Sequence, residues 1–212
     1  MATPDTLAAL TIAGIPTTDT PSYGTPDDWS LAGIATTYRG APDARTDRVV
    51  HIRDGPRPEA ELDVLRSTLH WLRDRQPDLL LTYNGEYHDI PILNDRCSIA
   101  ANETPQRDPV TPRVLNDFLD DVQHRDLYHT ANRDPSGYVP LADTLRKHGI
   151  TPPANPVVGG REITKRDIPD LAHRVVYEEP SQDAAEALYA HLSNAVAPLF
   201  SLHGSVKTTP RL

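Results

Sequence analysis

The pattern of apolar runs between polar segments predicts that the chain begins with three strands. Each run is apolar or rich in β-branched residues, and each is bounded by residues that favour loops. We predict strands at Thr6–Ile15, Trp29–Arg39 and Asp47–Arg53. The hydrophilic segment Arg39–Arg45 predicts a turn that joins the second and third strands as a hairpin.

After this hairpin the pattern changes to helices separated by short strands. Leu62, Leu65 and Leu69 recur at helical spacing and predict a helix from Pro58 to about Gln76. Short runs then predict a buried fourth strand at Leu79–Thr82 and a fifth at His124–Tyr128. Further helices are predicted at Tyr87–Ala101, Thr111–Val122, Leu141–His148, Asp167–Val176 and Pro180–Phe200, with a loop at Thr151–Gly160.

This order of elements predicts an α/β fold. Three consecutive strands suit an antiparallel meander, and strands separated by helices suit a parallel extension. We therefore expect a mixed five-stranded sheet flanked by helices. The 212 residues suit one domain, which we place at residues 1–202, followed by a flexible tail at 203–212.

Composition restricts the environment and the partners. The formal net charge of −9 disfavours nucleic acid at low salt. However, the low Lys and high Asp and Thr contents resemble proteins of salt-loving archaea, and molar salt shortens the Debye length to about 3 Å. The single Cys97 excludes an internal disulfide or a thiolate zinc site. Since no run approaches the length of a membrane span and no signal peptide is recognisable, we expect a soluble, cytoplasmic protein without a membrane partner.

The segment Leu79–Cys97 is the most informative for function. A short strand delivers Tyr83, Asn84 and Gly85 into a turn, and Asp89 follows at the start of a helix. With Pro91 and Leu93, this string resembles the second motif of the exonuclease domain of B-family DNA polymerases and their stand-alone relatives, although His88 replaces the usual Phe. The resemblance implies a ribonuclease H-like fold and 3′–5′ exonuclease activity on DNA or RNA.

Two other segments are similar to the same family. His124-Arg125-Asp126-Leu127 resembles a segment of its fifth strand, and Asp183 matches its last metal-binding Asp. Such enzymes use two ions, usually Mg²⁺ or Mn²⁺, held by carboxylates. The resemblance therefore implies that Asp89, Asp183 and Asp126 bind metal, that Asp89 and Asp183 are catalytic, and that Tyr83, Asn84 and Gly85 contact a single-stranded 3′ end.

The first motif of the family is degenerate in this chain. Relatives carry Asp and Glu on the first strand, where this sequence has Thr11 and Ala13. Neither residue offers a carboxylate ligand. The water-activating Tyr or His of the third motif is also displaced, because Glu178 and Glu179 occupy its positions and Tyr177 lies one residue earlier.

These departures leave three hypotheses. The chain is a degenerate nuclease that still binds nucleic acid or a protein partner; or it is an active enzyme with relocated carboxylates; or it is an interaction module without nucleic acid. The candidate replacement ligands are Asp19, Glu178, Glu179 and Asp126. A single weak site formed by Asp89 and Asp183, or no metal at all, is the simpler expectation for cofactors.

Overall fold

The predicted sheet is confirmed. The computed structural model describes residues 6–22, 25–41, 44–132, 137–178 and 181–208. Five strands form one mixed sheet in the order β3-β2-β1-β4-β5. The β1-β2 and β2-β3 pairs are antiparallel, and the β1-β4 and β4-β5 pairs are parallel. Their bounds are β1 Leu7–Pro16, β2 Trp29–Arg39, β3 Asp47–Ile52, β4 Leu79–Thr82 and β5 Gln123–Asp126.

Helices cover both faces of this sheet. Cys97 of α2 packs with α1, α3 and Leu10 of β1 on one face, and Ala9 and Ala13 of β1 pack with α6, α7 and α8 on the other. No helix within the described ranges is long and apolar enough to cross a membrane. The helices are α1 Pro58–Arg75, α2 Asp89–Glu103, α3 Val110–Asp121, α4 Leu127–Ala131, α5 Leu141–Lys147, α6 Ile168–Tyr177, α7 Gln182–Val196 and α8 Leu199–Thr208.

The structure differs from the predicted elements in three places. Strand β5 ends at Asp126, because the Asp126 carboxylate caps α4 by accepting a hydrogen bond from the Tyr128 backbone N–H. The predicted helix Pro180–Phe200 is two helices, and Pro198, which lacks a backbone N–H, lies between them. Within the predicted loop Thr151–Gly160, Gly159 and Gly160 have positive φ and connect β6 Val157–Val158 to β7 Arg161–Glu162.

The C-terminal residues also differ from the expected tail. Helix α8 continues past His203 to Thr208, and His203 is buried. Residues 209–212 lie outside the described part of the chain. The helix therefore belongs to the packed fold as far as the structure describes it.

A buried ionic network fixes α2 against the sheet. The Glu61 carboxylate on α1 is 1% exposed and pairs with Arg53 after β3 and with Arg96 on α2. It also accepts a hydrogen bond from the Leu31 backbone N–H on β2 at 2.9 Å. Because these bonds satisfy the buried charges, the network holds the position of the helix that begins at Asp89.

Candidate functional site

The carboxyl ends of β1 and β4 place the first and second motif segments at one edge of the sheet. The parallel register of the two strands ends at the pair Ala9 and Leu81, and β4 stops at Thr82. Strand β1 continues to Pro16, so Thr11 and Ala13 lie beyond the end of β4, on the edge where its following turn begins. In open α/β sheets this edge is where ligands bind.

The residues of β1 do not fit the two-metal site that the family resemblance implies. Ala13 is 2% exposed and belongs to the apolar cluster formed with α6 and α7. Thr11 offers only a hydroxyl group. A hard divalent ion needs several oxygen ligands, preferably carboxylates, and this strand supplies none.

The turn after β4 is shaped by close packing and by Asp126. A Cβ atom added at Gly85 would lie 2.4 Å from Cβ of Thr82, so only glycine fits there. Asn84 has a left-handed φ of 62°, which Asn tolerates better than most residues. The Asp126 carboxylate accepts hydrogen bonds from the backbone N–H groups of Asn84 at 2.8 Å and Glu86 at 3.0 Å. Asp126 therefore holds the turn in place.

Tyr83 directs its hydroxyl group into the protein. The hydroxyl donates to the Val139 carbonyl at 2.7 Å, lies 2.6 Å from the Thr144 hydroxyl and accepts from the Asn132 amide at 3.1 Å. Burial raises the pKa of Tyr83 to about 12. The residue thus orders the start of the turn, and its polar atom is engaged internally.

Asp89 is buried and paired with its neighbour. Its Oδ1 lies 2.8 Å from Nδ1 of His88, and the side chain of Asp89 is only 9% exposed. The His88 ring makes an edge contact with Trp29, with 5.7 Å between centroids. His88 therefore packs against Trp29 and at the same time makes a polar contact with the aspartate.

Asp183 is exposed in the first turn of α7. Ser181 caps this helix by accepting a hydrogen bond from the Ala184 backbone N–H at 3.2 Å. An acidic residue in a first turn is favourable with the helix dipole without any ligand.

The structure brings together a different set of possible ligands. Among the described residues, one group of three His, Cys, Asp or Glu side chains has ligand atoms within 4.8 Å of one another: Glu86, Asp126 and His129. It includes Asp126, which the sequence analysis names, but neither Asp89 nor Asp183. Imidazole and carboxylate together suit a divalent transition ion such as Mn²⁺ or Zn²⁺.

The sequence analysis singles out neither Glu86 nor His129. For His129 the reason is local. The fifth strand was predicted to run to Tyr128, whereas the chain turns into α4 directly after Asp126. As a helix N-cap, Asp126 lies three residues before His129, on the same side of the helix. The signal available in the sequence is Asp126 itself, because an Asp directly before a helix favours the start of that helix.

The remaining candidate ligands are dispersed. Asp19 is exposed, and the Glu178 carboxylate lies 3.8 Å from the His173 ring. Glu179 lies outside the described residues. The Tyr177 hydroxyl is 3.4 Å from the Ser30 hydroxyl on β2, so this side chain reaches the strand that pairs with β1.

Comparison with known proteins yields a structural similarity. No protein-family model and no curated protein matches the sequence. The family B DNA polymerase from the hyperthermophilic archaeon Pyrobaculum calidifontis matches the structure with a TM-score of 0.63 and 14% sequence identity. The match covers 97% of this chain and 25% of the polymerase, so the chain spans about a quarter of its length. Together with the sheet order, this similarity shows that the chain has a ribonuclease H-like α/β fold.

Proposed function

We propose that this chain is an exonuclease-type domain that binds single-stranded nucleic acid and has lost two-metal catalysis. The observation that carries the proposal is the burial of Ala13 in an apolar cluster, at the place where relatives carry a metal-binding Glu. The turn from Tyr83 to Asp89 supports the binding part, because it retains the family's second motif at the carboxyl edge of the sheet.

The loss of catalysis follows from the requirements of phosphodiester hydrolysis. One metal ion activates a water molecule and a second stabilises the leaving oxygen, and carboxylates must hold both ions. Thr11 and Ala13 supply no carboxylate, and Asp89 is paired with His88. Binding of the strand depends instead on stacking and phosphate contacts, which need no metal.

The test uses the purified full chain, 3′-labelled single strands of DNA and RNA, and Mn²⁺ at high salt. We expect the strands to bind without being shortened. Asp89→Asn, which keeps the side-chain shape, is expected to yield the same uncut strand. Shortening by the wild type that disappears in Asp89→Asn would contradict the loss of catalysis.

A second candidate is an active nuclease with a relocated metal site. The proximity of Glu86, Asp126 and His129 favours it, because these side chains could hold one divalent ion. Mn²⁺-dependent shortening that is lost in Glu86→Gln and His129→Asn but retained in Asp89→Asn would establish this candidate. Asp126 is unsuitable for the test, since it also holds the turn.

A protein lacking both strand binding and shortening would contradict both nucleic-acid proposals. The remaining hypothesis would then be the protein-interaction module, for which no specific contact surface is identified within the described residues.

A further inference from the structure

A row of rings lies beside the turn after β4, with a buried tyrosine between its exposed ends. We call it the aromatic strip and define it as Tyr87, His129, Tyr128 and Tyr138. The ring centroids are 5.4 Å apart for Tyr87 and His129, 5.2 Å for His129 and Tyr128, and 5.8 Å for Tyr128 and Tyr138. All three distances lie in the range of favourable aromatic contacts, so the rings form one packed row. The first two contacts are edge-on, and only the Tyr128 and Tyr138 rings are parallel.

The two ends of the aromatic strip face solvent, while its middle is anchored. Tyr87 is 61% exposed and Tyr138 is 50% exposed, whereas Tyr128 is 7% exposed. The Tyr128 hydroxyl donates to the Gly137 carbonyl at 2.9 Å, and the Tyr138 ring stacks on that of Tyr128 at an interplanar angle of 9°. Tyr138 is therefore held in a fixed orientation, and half of its surface remains exposed to solvent.

A cation lies at the Tyr138 end of the strip. The Lys165 ammonium group is 4.5 Å from the Tyr138 ring centroid and 2.6 Å from its hydroxyl. The whole chain contains only three lysines, and Lys165 and the neighbouring Arg166 are both exposed here. The Tyr87 end, by contrast, adjoins the acidic Glu86. A suitable ligand would thus offer flat rings along the strip and an anionic group at Lys165.

We infer that the two exposed ends of the aromatic strip, Tyr87 and Tyr138, stack bases of single-stranded nucleic acid, with a backbone phosphate at Lys165. The inference rests on the proposed function and names its binding surface. Aromatic side chains stack on any base, so the recognition would tolerate different sequences. Stacking is also insensitive to the salt screening that weakens phosphate contacts, which suits a chain with a formal net charge of −9.

The experiment measures the fluorescence anisotropy of a fluorescein-labelled oligothymidylate of about 12 nucleotides, within the usual site sizes of such proteins. Tyr87→Ala and Tyr138→Ala in the full chain are each expected to weaken binding about tenfold, the effect of losing one stacked base. Tyr87→Phe and Tyr138→Phe keep the ring and should bind within about twofold of the wild type. Tyr189→Ala on α7, which removes a tyrosine that is 49% exposed outside the strip, is the matched control and should change nothing.

An abasic strand of equal length separates stacking from charge. It should bind weakly and equally to the wild type and to both alanine variants, because it offers phosphates without bases. If Tyr138→Ala fails to fold, as judged by its melting temperature, the Tyr87 series decides, since that side chain is mostly in solvent.

The outcomes distinguish the two proposals. Alanine variants that bind oligothymidylate as tightly as the wild type would overturn the role of the aromatic strip and leave the proposed function intact. A wild-type protein that binds no strand would overturn both. If the alanine variants lose equal affinity for the normal and the abasic strand, the tyrosines do not stack bases.

Discussion

The Asp126 carboxylate accepts a hydrogen bond from the Asn84 backbone N–H at 2.8 Å and so ties the end of β5 to the turn after β4. The same carboxylate accepts from Glu86 and caps α4 through Tyr128. One buried side chain therefore organises both the turn that carries the second motif and the helix that presents His129. This double role explains an aspartate at this position without requiring that it bind metal.

The three acceptor contacts predict that Asp126→Asn destabilises the protein. The amide has one acceptor oxygen and an NH₂ group that faces backbone donors, so at least one backbone N–H loses its partner. We expect the free energy of unfolding to fall by about 1–3 kcal/mol, measured by urea titration at fixed salt. Asp117→Asn on the exposed side of α3 is the control and should change it by less than about 0.5 kcal/mol. Equal stability of both variants would refute the structural role of Asp126.

The contact between Gly85 and Thr82 predicts a position that tolerates no side chain. In Gly85→Ala the new methyl group would overlap with Thr82, and we expect a loss of about 1–3 kcal/mol in unfolding free energy together with weaker strand binding. Gly204→Ala in α8 is the contrast, because nothing lies within 4 Å of its added Cβ. That change should stabilise the protein by about 0.5–1 kcal/mol, as expected for alanine in a helix. An unchanged free energy of unfolding in Gly85→Ala would mean that the turn can move away from β4.

The apolar surroundings of Ala13 predict that carboxylates introduced at positions 11 and 13, where the resembled family carries them, do not create a metal site. Ala13→Glu would bury a carboxyl group among α6 and α7, and we expect a destabilisation of about 2–5 kcal/mol. Thr11→Asp, at a half-buried position, should cost less. Melting curves of the double variant with and without Mn²⁺ test this directly. Stabilisation by Mn²⁺ in the double variant but not in the wild type would show that the cleft still accommodates an ion.

Removal of the buried Glu61 is expected to be among the most damaging changes in the chain. Glu61→Ala leaves Arg53 and Arg96 buried without their counter-charge, which typically costs about 3–5 kcal/mol. Asp143→Ala breaks the exposed pair with Arg146 and should cost less than about 1 kcal/mol. Denaturant unfolding of both variants provides the comparison. Similar midpoints for the two variants would show that the Glu61 network contributes little.

His191 predicts a loss of stability in mild acid. Burial, with a smaller contribution from Lys165, lowers its pKa to about 4, whereas the unfolded chain has an ordinary value near 6.5. The unfolded state therefore takes up the proton first, and the stabilisation from neutral His191 is complete above about pH 6.5 and lost as pH falls toward 4. We expect His191→Gln to flatten this part of the curve of unfolding free energy against pH. An unaltered slope in His191→Gln would assign the acid limb of the curve to other groups.

The strands and their order along the chain followed from local sequence patterns. Trp29–Arg39 and Leu79–Thr82 have the predicted bounds because each is a continuous apolar or β-branched run between loop residues. Tyr83, Asn84 and Gly85 come directly after β4 in the sequence, so the turn that they form lies at the carboxyl edge of the sheet. The lack of carboxylates at Thr11 and Ala13 is likewise visible in the sequence alone, because it needs only the residues of the first strand.

The tertiary structure decided which side chains meet. Asp126 ends the fifth strand by capping α4, and its carboxylate also accepts from Asn84, 42 residues earlier, a contact that no local periodicity encodes. Tyr87 meets His129 across the same separation, and Ala13 acquires its apolar surroundings only when α6 and α7 pack on β1. Hydrophobic spacing is a property of neighbouring residues, so the sequence determined most of the elements and their order along the chain. Ligand groups and ring contacts join distant segments, and they exist only once the sheet and its helices have packed.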